Sequence, residues 1–218
     1  LHHPWQKNKL ILEEKRIAVK CVAVDAVHRV QYTTTHTPSQ HARSTMVLPN
    51  ILVTGTPGTG KSELCRQLAD KLGFRWQNVS EIVTEHKFVE EYDEEFECPV
   101  LDEDRLLDHL EPLMQEGGCA VEYHSSEFFP ERWFASVWVV RCSTSLLYDR
   151  LQAREYGERK IKSNMECEIF QIPLDEARDA YRKEIIHEVT SDTAADLDAT
   201  VERVRDWLEQ WKAKHNKS

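Results

Sequence analysis

Apolar positions along this chain alternate between short continuous runs and helical spacing, and the alternation itself predicts the architecture. Ile51-Leu52-Val53 is an unbroken apolar run within residues 47–54, the pattern of a buried strand. Leu64, Leu68 and Leu72 then recur four apart with Gly73 just beyond, which predicts an amphipathic helix with a glycine stop. Residues 74–79 (FRWQNV) predict a second strand, and Ser80 is the expected N-cap of a short helix. From Asp102 onward, Leu106, Leu107, Leu110, Leu113 and Met114 mark another helix, ended by Gly117 and Gly118, with Pro112 expected to kink or shorten its last turn. Residues 119–123 and 136–141 read as third and fourth strands, and the aromatics between them (EFFPERWF) as core packing. A helix over 145–154, a short charged loop (REYGERKIKSN), a long helix through Ile186 and a last helix near 195–214 follow.

Strands alternating with helices imply an α/β fold: a central parallel sheet covered by helices on both faces, in three layers. The acidic stretch EEYDEEFECPVLDED interrupts this pattern and reads as a solvated face. Residues 1–45 look foreign to the rest. They contain no glycine, half of the ten histidines and a net charge of +4, against −14 for residues 46–218. Two readings stay open: a targeting arm, or a leader added by a misassigned translation start ahead of Met46, which the composition favours. The expected unit is therefore residues 46–218.

Charge and cysteine usage narrow the function classes. An acidic body argues against nonspecific nucleic-acid binding as the main activity and suits docking on a basic partner protein; no direct sequence-specific nucleic-acid binding is expected either. Six scattered cysteines with no CxxC pair suggest reduced thiols rather than a zinc ribbon or a disulfide framework. No apolar run approaches membrane-spanning length, and the expectation is a soluble intracellular protein with no membrane partner.

The predicted first strand runs directly into Gly55-Thr56-Pro57-Gly58-Thr59-Gly60-Lys61-Ser62, which fits the phosphate-loop pattern GxxxxGK[ST] at every fixed position. The glycines permit a concave turn whose N–H groups point inward, and the following helix offers its positive dipole end to phosphates. Lys61 supplies a cation for the β- and γ-phosphates, and Ser62 a hydroxyl for the shell of a Mg²⁺ carried by the nucleotide. A carboxylate at the end of a neighbouring buried strand could orient that metal or a water, so Glu122, with His124 two residues on, forms a second candidate motif. Nothing matches the guanine-reading motif of GTPases, which leaves adenine as the expected base.

The ordered blocks GTPGTGKS, YDEEFECPVLDEDR, GGCAVEYH, EFFPERWF, LLYDRLQAREY and ECEIFQ resemble the adenylate kinase isoenzyme 6 family, the coilin-interacting nuclear ATPases, over Val47 to about His215. The resemblance implies a nucleoside monophosphate kinase fold, adenylate kinase and ATPase activity with Mg²⁺, and location in nucleus and cytoplasm. It further implies a role in maturing the small ribosomal subunit, through a small-subunit ribosomal protein and the pre-ribosomal particle. Carried over by position, ATP phosphates would meet Gly55, Gly58, Gly60, Lys61, Ser62 and the backbone of Glu63. The monophosphate region would span about 78–101. A short lid over about 153–163 would bring Arg154 to the nucleotide, consistent with a cation leading into a mobile charged loop.

Three positions differ from the family pattern. Its Asp-Tyr-His is Glu122-Tyr123-His124 here, and the extra methylene is expected to displace the carboxylate, so that Glu122→Asp would raise hydrolysis. An arginine of its monophosphate region is Thr84, which removes a phosphate clamp. Its lid Arg-Gly-Tyr is Arg154-Glu155-Tyr156, with a glycine displaced to Gly157. These differences bear on the acceptor more than on ATP. Three functions remain: an AMP kinase using Lys61, Ser62 and Arg154; an ATP-driven assembly switch in which Glu122 and His124 act on water; and, more weakly, a nucleotide-binding interaction module.

Overall fold

A computed structural model describes residues 47–93 and 98–215, so the leader, 1–45, lies outside the described residues. Five strands form one parallel sheet in the order β2-β5-β1-β6-β7: β1 (Ile51–Thr54), β2 (Arg75–Asn78), β5 (Cys119–Glu122), β6 (Ser136–Arg141) and β7 (Ile186–Thr190). Ile51 pairs with Ala120 on one side and Ser136 on the other, which puts β1 at the centre. The chain leaves β1 toward β2 and later returns on the opposite side through β6, so a crevice opens at the carboxyl ends of the strands.

The period of two in the strands sorts their side chains onto two cores. Leu52, Val121, Val137 and Val139 face α3 (Glu103–Glu116) and α6 (Ile172–Ala180), where Leu106, Leu110, Leu174 and Ala177 meet them. Ile51, Val53, Ala120, Trp138 and Val140 point the other way, toward α1 (Lys61–Leu72) and α7 (Ala194–His215) through Leu64, Leu68, Val201 and Val204. Each fully buried leucine in these layers contributes about 2 kcal/mol. The aromatics Phe129, Trp133 and Phe134 close the first core, as their packing role requires. No described helix is long and apolar enough to cross a membrane.

Four expectations are corrected. The long helix through Ile186 is three elements: α5 (Glu158–Ile169), α6, and the edge strand β7. Gln171, in the left-handed region at φ 58°, turns the chain between the helices, and the β-branched Ile186, Val189 and Thr190 favour extension once β6 offers a partner. The charged loop after Arg154 shrinks to a tight turn, because α5 starts at Glu158. The acidic stretch is not only a solvated face: β3 (Val89–Asp93) and β4 (Cys98–Leu101) pair antiparallel within it. Finally, α2 (Val79–His86) is capped by Asn78 rather than Ser80, the Asn78 side chain accepting from the Glu81 N–H. Pro112 stays inside α3, which continues to Glu116. α4 (Thr144–Ala153) matches its expected span.

Candidate functional site

The phosphate loop joins the end of β1 to the start of α1, and its shape needs glycine for two separate reasons. At Gly55, φ is 142° and a Cβ would fall 2.3 Å from the Val140 carbonyl oxygen, so β6 leaves no room for a side chain. At Gly58, φ is 95° and a Cβ would meet Leu147 of α4 at 2.9 Å. Gly58 and Gly60 line the cleft, whereas Gly55 packs beneath the loop and shapes it from below.

Lys61 opens α1 and is buried, donating from Nζ to the carbonyls of Gly55 (2.7 Å) and Thr56 (3.1 Å). Burial pushes its pKa down to about 8; the Glu122 carboxylate resists that shift and the Arg154 charge adds to it. Ser62, on the next residue, opens to the cleft and donates to Glu122 Oε1 at 2.6 Å. Glu122 ends β5 with 6% of its surface exposed. Its other oxygen accepts from the Trp76 indole at 2.9 Å. Desolvation raises the Glu122 pKa, while Lys61 and the two hydrogen bonds favour the charged form. The longer side chain is thus seated between Ser62 and Trp76.

His124 is buried two residues beyond, its ring against Tyr123 with centroids 4.1 Å apart and its carbonyl accepting from Thr54 Oγ1. Arg154 ends α4 and is exposed. Glu63 lies in the first turn of α1, paired through Oε1 with Arg66 at 2.5 Å, and that guanidinium holds its carboxyl below the usual range. All of these side chains border a single cleft of about 570 Å³. Thr84 does not: it is exposed on α2, its hydroxyl donating to the Ser80 carbonyl.

Ser80 and Glu81 fall in the expected monophosphate region and Tyr156 in the expected lid, whereas sequence reasoning named neither Trp76 nor Arg66 as a lining residue, and only the fold brings these two here. It also missed what grips the loop from outside. Arg150 donates to the carbonyls of Gly58 (3.4 Å) and Ser191 (2.8 Å), and the Ser191 hydroxyl donates to the Thr59 carbonyl. Ser62 and Glu122 offer two hard oxygen donors side by side, a set that fits Mg²⁺. Among the described residues no group of three or more His, Cys, Asp or Glu side chains is placed to hold a metal.

A family profile described as an AAA domain matches residues 51–171. The adenylate kinase isoenzyme 6 homolog of Drosophila melanogaster is 54% identical over 168 residues, covering 77% of this chain and 96% of that protein. The Caenorhabditis elegans homolog of the same name is 50% identical over 169 residues, covering 77% and 93%. The chain belongs to the adenylate kinase isoenzyme 6 family. Among solved structures, shikimate kinase from Acinetobacter baumannii in complex with shikimate superposes with a TM-score of 0.52 at 18% identity, over 76% of this chain and 95% of that one, a likeness of fold. As an adenylate kinase isoenzyme 6 family member the chain is a P-loop nucleotide kinase or ATPase.

Proposed function

We propose that the cleft binds Mg·ATP and transfers the γ-phosphoryl group to AMP, giving two ADP, with water as a slower acceptor. The observation that carries this reading is the contact of Ser62 with Glu122 beside the Lys61 ammonium, in one cleft bordered by Arg154. Ser62 and, behind it, Glu122 would hold Mg²⁺, which neutralises phosphate charge when bound. The loop N–H groups cradle the phosphates, Lys61 turns from its loop carbonyls to the transferring group, and Arg154 closes from the lid side; the protein mainly positions and stabilises. The name shared by the relatives supports AMP as acceptor.

A second reading, an ATP-driven assembly switch with weak or no AMP kinase activity, is favoured by the acceptor side of the cleft. Its described lining holds the carboxylates of Glu63 and Glu81, and the cation there, Arg66, is already paired with Glu63 and Asp70. A second phosphate meets little free positive charge among these residues. Glu122 and His124 would then orient water. Small-subunit maturation with a ribosomal protein partner, and residence in nucleus and cytoplasm, rest on the family resemblance alone. ADP formation by the purified chain with and without AMP decides between acceptors. Stimulation by AMP supports the kinase; ADP at the same rate without it supports the switch; no ADP from ATP in either case overturns both.

A further inference from the structure

We infer that Glu168 is a positioning residue for the phosphate loop, acting through Thr56. Glu168 sits near the end of α5, more than a hundred residues beyond the loop in sequence, and only 1% of its surface is exposed. Its Oε2 accepts from Thr56 Oγ1 at 2.5 Å, and its Oε1 accepts from Arg141 Nε at 2.5 Å and the Cys142 N–H at 3.4 Å. Arg141, at the end of β6, also donates to the Glu168 carbonyl at 3.0 Å and to Glu188 of β7 at 3.2 Å. A buried carboxylate is costly unless paired and hydrogen-bonded, and this one has both forms of support.

Thr56 is the reason the contact reaches the chemistry. Its carbonyl accepts from the Thr59 N–H (3.2 Å), the Thr59 hydroxyl (2.8 Å) and Lys61 Nζ (3.1 Å). The orientation of this one residue therefore sets both the turn of the loop and the seat of its lysine. Glu168 fixes that orientation from the side chain, while Arg141 fixes Glu168 to the sheet. The helix carrying Glu168 starts just after the Arg154 turn, so loop and lid share an anchor.

The inference rests on the proposed ATP turnover of this cleft. The test uses the full chain with Thr56→Val, Thr56→Ser, Glu168→Gln and the Val/Gln double variant, reading kcat and KM for ATP, melting temperature, and amide hydrogen exchange over 55–62. Thr56→Val is expected to lower kcat by roughly ten- to a hundredfold with a smaller change in KM, as a misplaced reacting geometry does. Its melting temperature should fall by no more than about a few degrees, because the Arg141 pair still compensates the buried carboxylate. Thr56→Ser should restore most of the lost turnover, and Glu168→Gln, which also weakens the Arg141 pair, should cost less on top of Thr56→Val than it does alone, because the two changes share the Thr56–Glu168 contact. Parental kcat in Thr56→Val, or losses that multiply in the double variant, overturns the inference. A parent that forms no ADP counts against the proposed function instead, and exchange then decides: Thr56→Val must speed exchange over 55–62, and unchanged exchange rejects the role of Glu168.

Discussion

On the wall of the cleft proposed to hold ATP, the donor wall, Lys61 and Glu122 are buried and the loop is tied to residues far away in the chain: Ser62 to Glu122, 60 positions on, Thr56 to Glu168, 112 on, and Thr59 to Ser191, 132 on. On the wall proposed for the acceptor, Glu81 is exposed and the polar side chains bond within one helical turn: Asn78 with Glu81, and Arg66 with Glu63 and Asp70. Local pairs of this kind, open to solvent, are worth only a few tenths of a kcal/mol each. The donor wall is preorganised by the fold, whereas the acceptor wall is free to rearrange around what enters. Substitutions on the first should therefore cost rate, and on the second should change which acceptor is used.

Lys61→Ala gives the largest expected effect. Removing one preorganised charge stabiliser costs about two to three orders of magnitude in turnover, with circular dichroism unchanged because alanine is a good helix former at the start of α1. A loss below tenfold in a folded variant would mean that the donor wall does not depend on its cation. Glu122→Asp comes next. The family pattern led to an expected gain, but the seated carboxylate reverses the sign: a shorter side chain cannot keep both the Ser62 and Trp76 contacts, and turnover should fall about tenfold. A faster Asp variant in steady-state assays at saturating Mg·ATP would show that these contacts hold an unproductive geometry.

Thr84→Arg tests the other wall. Thr84 points outside the described lining, so ATP hydrolysis without AMP should be unaffected, while a longer cationic side chain can reach back toward a second phosphate. AMP-dependent ADP formation should rise by roughly threefold, the scale of one partly exposed charge contact. Equal rates with and without AMP in the variant would place the barrier to AMP elsewhere on that wall.

The same contrast explains what could be read from the chain alone. The phosphate loop is legible because its function is written in backbone conformation, and glycine spacing at 55, 58 and 60 encodes backbone directly. The layered fold is legible for a similar reason: alternating Ile51, Leu52 and Val53 split cleanly between two cores. By contrast, β7 was hidden because the expected helix was carried through a charged stretch as far as Ile186, the first residue of β7, and pairing with β6 fixes the extended state that its β-branched residues favour. The β3–β4 pair was masked by an acidic run, and Asn78 took the cap from Ser80 through the position where β2 ends. Glu168 and Ser191 could not be tied to the loop from spacing, since their partners lie over a hundred residues earlier.

Glu155 carries the smallest effect and the most discriminating one, because it lies where the proposed lid borders the cleft. It borders the cleft in the left-handed region at φ 56°, a conformation that costs a residue with a Cβ about 1 kcal/mol or more. Glu155→Gly removes that cost but loosens the unfolded chain, an opposing effect of about 0.5 kcal/mol. The net gain should be about 0.5 kcal/mol, a rise of roughly one to two degrees in melting temperature for a chain of this size. Charge acts separately. Glu155→Gln keeps the backbone conformation and removes a negative charge near the phosphate loop, so it should tighten ATP binding with no change in melting temperature. Glu155→Gly should do both. Paired melting and ATP-titration measurements on the two variants separate the contributions: equal melting temperatures for Gly and Gln would mean that the turn carries no conformational cost. Unchanged affinity in both would mean that Glu155 points away from the bound phosphates, and that the lid departs from its family's pattern without touching the donor wall.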